Sequence, residues 1–319
     1  MTAEFETYMI SAERVFEYGS LQSESALRIE GRCMDVRWPQ HGALSFDHVY
    51  LRYCSHLPHV LKDISFTVAA GETVGVVGRT GAGKSSLISL LFRLVESERG
   101  SIFIDGIDIR TLGLHELREK ISIIPQDPSL FSGTIRKNLD PFDRYQDQKL
   151  WSALTEANLA PAIRNMDKQL YAIVSEGGSN LSIGQRQLLC LARSLLRDNR
   201  ILVMDEATAN VDQETDAQIQ STIRTKFAGY TIITIAHRLH TIIDMDKILV
   251  MDDGCLVEYD RPFTLLTDKN GLFYSMVHET GPQFERMLHE MAEKSYRQKI
   301  HNPMRRASVR AVERKLNFD

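Results

Sequence analysis

The sequence predicts an α/β fold on a mainly parallel sheet, with an N-terminal antiparallel β-subdomain and an inserted α-helical subdomain. Two observations lead there. Short apolar runs at 73–78, 121–124, 201–204, 230–235 and 247–251 alternate with stretches of helical composition. Strands covered on both faces carry such continuous runs, and their alternation with helices gives a parallel core. Ahead of them, residues 44–53 (Leu-Ser-Phe-Asp-His-Val-Tyr-Leu-Arg-Tyr) alternate apolar and polar, as an antiparallel strand with one wet face does.

Residues 1–40 read as peripheral. Positions 8–18 fit a short amphipathic helix, and 19–40, polar with Gly, Ser and Pro, fit a linker. Residues 60–68 suit a partner for the first strand, and Gly71-Glu72 turns the chain into the next. A helix is expected after Lys84, a short strand and turn at 100–106, a short helix at 115–120, and a strand at 121–124 that ends at Pro125-Gln126-Asp127. Residues 134–197 turn helical, with polar breaks at 140–141 and 176–180, and form the inserted block. Sheet returns at 201–205, followed by a helix near 213–227, two buried strands, and a hairpin return at 255–260 after Asp252-Asp253-Gly254. Residues 41–265 thus form the main domain. From 266 helices run to about Ser295, and 296–319 have the basic, polar composition of a disordered tail. Its Arg-Arg-Ala-Ser at 305–308 resembles a basophilic kinase site; a solvated basic tail is the plainer reading.

The net charge of −4 over 319 residues gives no bulk attraction to nucleic acid, so no nucleic-acid partner is expected. Four scattered cysteines without a C-x-x-C pair suit reduced thiols, not a disulfide or zinc framework. No window approaches the roughly 18 apolar residues of a membrane-spanning helix, and the first residues lack the basic and apolar regions of a signal peptide.

The chemistry concentrates at Gly78-Arg79-Thr80-Gly81-Ala82-Gly83-Lys84-Ser85-Ser86. This fits G-x-x-x-x-G-K-[ST], the phosphate-binding P-loop, and makes the core that of a P-loop NTPase. Glycines let the chain wrap an anion, and the N–H groups and dipole of the following helix face phosphate oxygens. Lys84 is placed to reach the β- and γ-phosphates, and the Ser85 hydroxyl to sit on Mg²⁺. A second Mg²⁺ anchor is needed at the end of a neighbouring strand. Asp205 supplies it after Ile-Leu-Val-Met, and Glu206 follows as candidate general base.

With these in place, Leu181-Ser182-Ile183-Gly184-Gln185 resembles the L-S-G-G-Q signature of ATP-binding-cassette (ABC) ATPases. Gln126 looks like that family's Q-loop glutamine, Asp212 its D-loop aspartate, His237 its switch histidine and Tyr53 its adenine-stacking aromatic, in family order over 44–265. The resemblance implies an ATPase using ATP and Mg²⁺, with Ser85, Asp205 and Gln126 near the metal and Glu206, His237 and Gln126 in catalysis. It implies a head-to-tail pair, in which Ser182, Gly184 and Gln185 contact ATP held by a partner domain. Residues 78–86, 124–128, 131–142 and 184–187 are similar to the second nucleotide-binding domain of subfamily C, the multidrug-resistance-associated group; 207–212 are closest to its type-4-like organic-anion exporters. Residues 9–18 resemble the segment after the last membrane helix there, and 175–177 the exporter loop that touches the membrane domains.

Ile183 departs from the ideal signature at its first glycine, which weakens the ATP site that this signature completes. The implied partners are a first nucleotide-binding domain and membrane domains that this stretch does not contain, with a weak ATP-dependent homodimer as a further expectation. A fragment, an expressed domain or a truncated gene product would each give such a sequence, at the cytoplasmic face of a membrane. Three other readings stay open: a nucleotide-sensing domain of a subfamily C channel or channel regulator, a soluble ABC ATPase, and a binding module that turns over little.

Overall fold

The computed structural model describes residues 2–21, 23–29, 37–207, 211–236 and 238–301. Helix α1 (Thr2–Ser20) leads the chain and is longer than residues 8–18 alone predict. Strands β1 (Leu44–Leu51) and β2 (Leu61–Val68) follow, then β3 (Thr73–Gly78), which feeds α2 (Lys84–Leu91). β4 (Arg99–Ile104) and β5 (Ile107–Asp108) return to β1, giving an antiparallel sheet in the order β2-β1-β4-β5. Its alternation works as expected: Leu44, Phe46, Val49 and Leu51 are buried, while Asp47 and His48 face water.

After α3 (Leu114–Lys120) and β6 (Ile121–Ile124) comes the inserted block. It holds α4 (Ile135–Leu139), α5 (Asp147–Glu156), α6 (Ala160–Arg164) and α7 (Ile183–Arg197). It also holds an antiparallel strand pair that composition did not signal, β7 (Gly133–Thr134) with β8 (Ile173–Val174), too short to show a period. β9 (Ile201–Asp205), α8 (Gln213–Lys226), β10 (Thr231–Ile235), β11 (Lys247–Asp252) and β12 (Cys255–Asp260) complete the main sheet. Helices α9 (Pro262–Thr267), α10 (Leu272–His278) and α11 (Pro282–His301) close the described chain, beyond the expected end near 295. The basic tail with Ser308 lies outside the described residues.

The main sheet runs β12-β11-β3-β10-β9-β6, parallel except for the β11–β12 hairpin. Period-two geometry sends alternate side chains to opposite faces, which is why its parallel strands are mostly apolar on both faces. On β9, Ile201 and Val203 join the core beneath the antiparallel sheet, and Leu202 and Met204 join the core of the helical block. On β3, Val74 and Val76 share the first core, and Val77 enters a third, built with the C-terminal helices around fully buried Phe273. The two sheets are tied where Lys62 N–H donates to Gly254 O (2.8 Å), Tyr259 Oη donates to Thr67 O (2.6 Å), and the rings of Phe66 and Tyr259 meet edge to face.

Candidate active site

The parallel strands end together. Ile124 of β6 lies opposite Met204 of β9, Asp205 opposite Ile235 of β10, Ile235 opposite Val76 of β3, and Gly78 opposite Met251 of β11. This register brings Gln126, Asp205, Glu206, Ala236 and the loop from Gly78 out at one edge, the C-terminal edge where α/β sheets bind ligands.

The loop's glycines are structural requirements. Gly78 has φ 154°, and a Cβ there would stand 2.3 Å from the Met251 carbonyl oxygen; Gly83 has φ 96°, and a Cβ would meet Leu61 Cδ2 at 2.6 Å. Arg79, Thr80, Gly81 and Ser85 are exposed, whereas Ala82, Gly83, Lys84 and Ser86 are buried. Lys84 Nζ donates to the carbonyls of Gly78 (2.8 Å) and Arg79 (3.1 Å), which ties the loop's start to its helix. Burial pushes the Lys84 ammonium below the usual lysine range, and the Glu206 and Asp205 carboxylates oppose that. Tyr53 lies past the end of β1, about half exposed, and its hydroxyl shares a 2.9 Å hydrogen bond with Ser86 Oγ.

Asp205 is the last residue of β9. Glu206 then takes a left-handed backbone, φ 47°, while its N–H donates to Ile235 O at 3.0 Å. Such a conformation in a non-glycine residue costs roughly 1–3 kcal/mol and collects at functional sites. Gln126 is exposed just beyond β6, and Gln187 Nε2 donates to its carbonyl. His237 lies outside the described residues.

Ser182, Gly184 and Gln185 lie at the start of α7 in the helical block. Ser182 Oγ accepts from Gln185 N–H (3.1 Å) and Gln185 Oε1 accepts from Ser182 N–H (3.0 Å), a reciprocal capping box. The Ser182 hydroxyl accepts in that box, which leaves its own proton to donate outward. Gly184 is buried with Thr215 of α8 against it, where a Cβ would meet Thr215 Cγ2 at 3.0 Å. Asp212 caps α8, accepting from Thr215 N–H and Oγ1, each at 2.9 Å. The Thr215 N–H, then its hydroxyl, hold the Asp212 carboxyl below the usual range.

Three residues hold these parts together: Arg186 and Gln187, which the sequence motif at 184–187 includes without a role, and Arg193, which it does not single out. Gln187 fastens the main chain at 125–126 to α7. Arg186 Nη1 donates to Gly177 O (3.1 Å), tying the 176–178 turn to the same helix. Arg193 donates to the carbonyls of Asn138 (2.6 Å) and Ser129 (3.0 Å). A glutamine or arginine on the apolar side of an amphipathic helix signals a buried polar role; its partners emerge only with the fold.

The sequence profile described as "ABC transporter" matches residues 61–209, from β2 through the P-loop, Q-loop and signature to the carboxylate pair. The chain belongs to the ABC transporter family. Its domain is the ATP-binding, ATPase domain of that family. It is 53% identical over 281 residues to the ATP-binding cassette sub-family C member 2 of Rattus norvegicus, covering 88% of this chain and 18% of that protein. It is 52% identical over 295 residues to sub-family C member 4 of Homo sapiens, covering 92% of this chain and 22% of that one. The chain thus spans about a fifth of the length of these relatives. Among solved structures, a bacterial Atm1-family ABC exporter with ATP bound aligns over 87% of this chain and 48% of its own, at 34% identity and TM-score 0.77. No helix among the described residues is long and apolar enough to cross a membrane.

Proposed function

We propose that this ABC domain binds ATP across the common sheet edge and hydrolyses it with Glu206 as general base, driving an exporter of organic anions. The observation that carries this reading is the convergence of Lys84, Ser85, Asp205, Glu206 and Gln126 at that edge. Tyr53, with its hydroxyl on Ser86, stacks the adenine. The loop's N–H groups and Lys84 take the phosphates, and Glu206 draws the proton from the attacking water while His237 steadies the γ-phosphate. General-base catalysis of this kind contributes about 10²–10⁴ in rate.

The donor set fits Mg²⁺. Ser85 is an exposed hydroxyl at the start of α2 and Asp205 a strand-end carboxylate, hard oxygen donors of the kind that bind Mg²⁺ together with substrate phosphates. Gln126 completes the set through its side chain. When bound, the ion offsets the charge on the β- and γ-phosphates.

The pairing is head to tail. Ser182, Gly184 and Gln185 serve ATP held by a first nucleotide-binding domain, and that domain's signature closes over Lys84. Asp212 lies at the junction. Ile183, 42% exposed at the first position of α7, places a branched side chain where the ideal signature has glycine. The site built on this chain's own Glu206 is therefore the more active of the pair. The domain works against membrane domains at the cytoplasmic face, and the isolated chain turns over slowly as a weak ATP-dependent homodimer.

Glu206→Gln tests the reading. ATP binding persists, an ATP-dependent dimer accumulates on size-exclusion chromatography, and phosphate release falls by about 10²-fold or more. Unchanged turnover removes Glu206 from the role of base.

A further inference from the structure

Gln187 lies in the second turn of α7 and is 2% exposed. Its Nε2 donates to the carbonyls of Pro125 (3.1 Å) and Gln126 (2.9 Å), the two residues that follow β6 at the site edge. Its Oε1 is buried with no hydrogen-bond partner. An orphaned buried acceptor is unfavourable, and an apolar residue of the same length would avoid it. The amide therefore serves its donor end, which holds main chain 61 and 62 residues away in sequence.

The same stretch of α7 is pinned on its other flank. Gly184 lies close against Thr215, whose N–H and hydroxyl hold Asp212. Residues 182–187, which include the capping box at Ser182, thus join two other segments: the chain that carries Gln126 and the start of α8.

We propose that Gln187 is a positioning residue for Gln126, fastening the chain that carries it to α7. It acts through the main chain of Pro125 and Gln126, fixing where the Gln126 side chain leaves the sheet edge. The inference rests on the Gln126 role proposed above.

The test uses the full chain and a fluorescent ATP analogue, with affinity measured in Mg²⁺ and in EDTA. Gln187→Met keeps the length and removes the donor. It should leave the EDTA affinity unchanged and lower the Mg²⁺-dependent gain in affinity roughly fivefold, the worth of a lost hydrogen bond. Gln126→Ala should lower the same gain, and the double variant should be no worse than the poorer single one, because coupled residues are not additive. Losses that multiply in the double variant, or an unchanged gain in Gln187→Met, overturn the role of Gln187. An unchanged gain in Gln126→Ala overturns the Gln126 reading, and the proposal with it. Should Gln187→Met fail to fold, Gln187→Asn withdraws the amide by one methylene and faces the same criteria.

Discussion

Tyr53 joins two chemistries in one side chain. Its ring is the proposed stacking surface for adenine, and its hydroxyl is bonded to Ser86 on α2. Tyr53→Ala should weaken ATP binding by about 1–3 kcal/mol, the scale of base–aromatic stacking. Tyr53→Phe keeps the ring but frees it from Ser86, and should lose about 0.5–1.5 kcal/mol. Isothermal titration with ATP separates the two; equal affinities in all three proteins would make Tyr53 an ordinary residue beyond the strand end. The position of Tyr53 was legible from family order. Its bond to Ser86 was not, because 33 residues separate them and only the packing of β1 against the loop brings them together.

At the scale of elements, α7 and α8 begin with capping residues to which we also assign a proposed binding role. Ser182→Ala removes the cap of α7 and should cost about 1 kcal/mol of stability, read from the urea midpoint. Ser182→Asp restores a capping oxygen but presents a carboxylate to phosphate. It should recover the stability and still block ATP-dependent association with a partner domain. Recovery of both would make the signature serine a cap alone. The Asp212 cap of α8 adds a pH dependence. Its carboxyl is held below the ordinary range by Thr215, so its stabilisation is complete above the unfolded-state pKa and fades as pH falls through the lower folded value. The gap in melting temperature between the native chain and Asp212→Ala should narrow in acid; a constant gap would mean that the charge on the cap does not matter. The S-x-x-Q spacing at 182–185 is a capping-box pattern legible without any family resemblance. The β7–β8 pair was not legible, since two-residue strands carry no period and form where α4 and the 169–171 turn bring them side by side.

For the whole molecule, strand identity was legible and strand order was not. Apolar runs mark β3, β6, β9, β10 and β11 equally, and nothing local says that β3 lies between β11 and β10. That order is what seats Gly78 against Met251, so Gly78→Ala should disturb β11 as well as the loop. It should cost more than about 1 kcal/mol, because alanine is incompatible with that backbone, and amide exchange should accelerate in 247–252. Protection there equal to that of the native chain would place the glycine's purpose in the loop alone.

The placement of β10 has a consequence for charge. It stands between β3 and β9, so the lysine-bearing loop and the two carboxylates leave strands two widths apart, about 10 Å. Side by side on neighbouring strands, a buried lysine and two carboxylates would close into an ion pair that an incoming polyanion must first break. Here Lys84 bonds carbonyls of its own loop and feels Asp205 and Glu206 as a field. The interposed strand acts as a spacer. It keeps opposite charges apart on either side of the edge where we propose that ATP and Mg²⁺ bind.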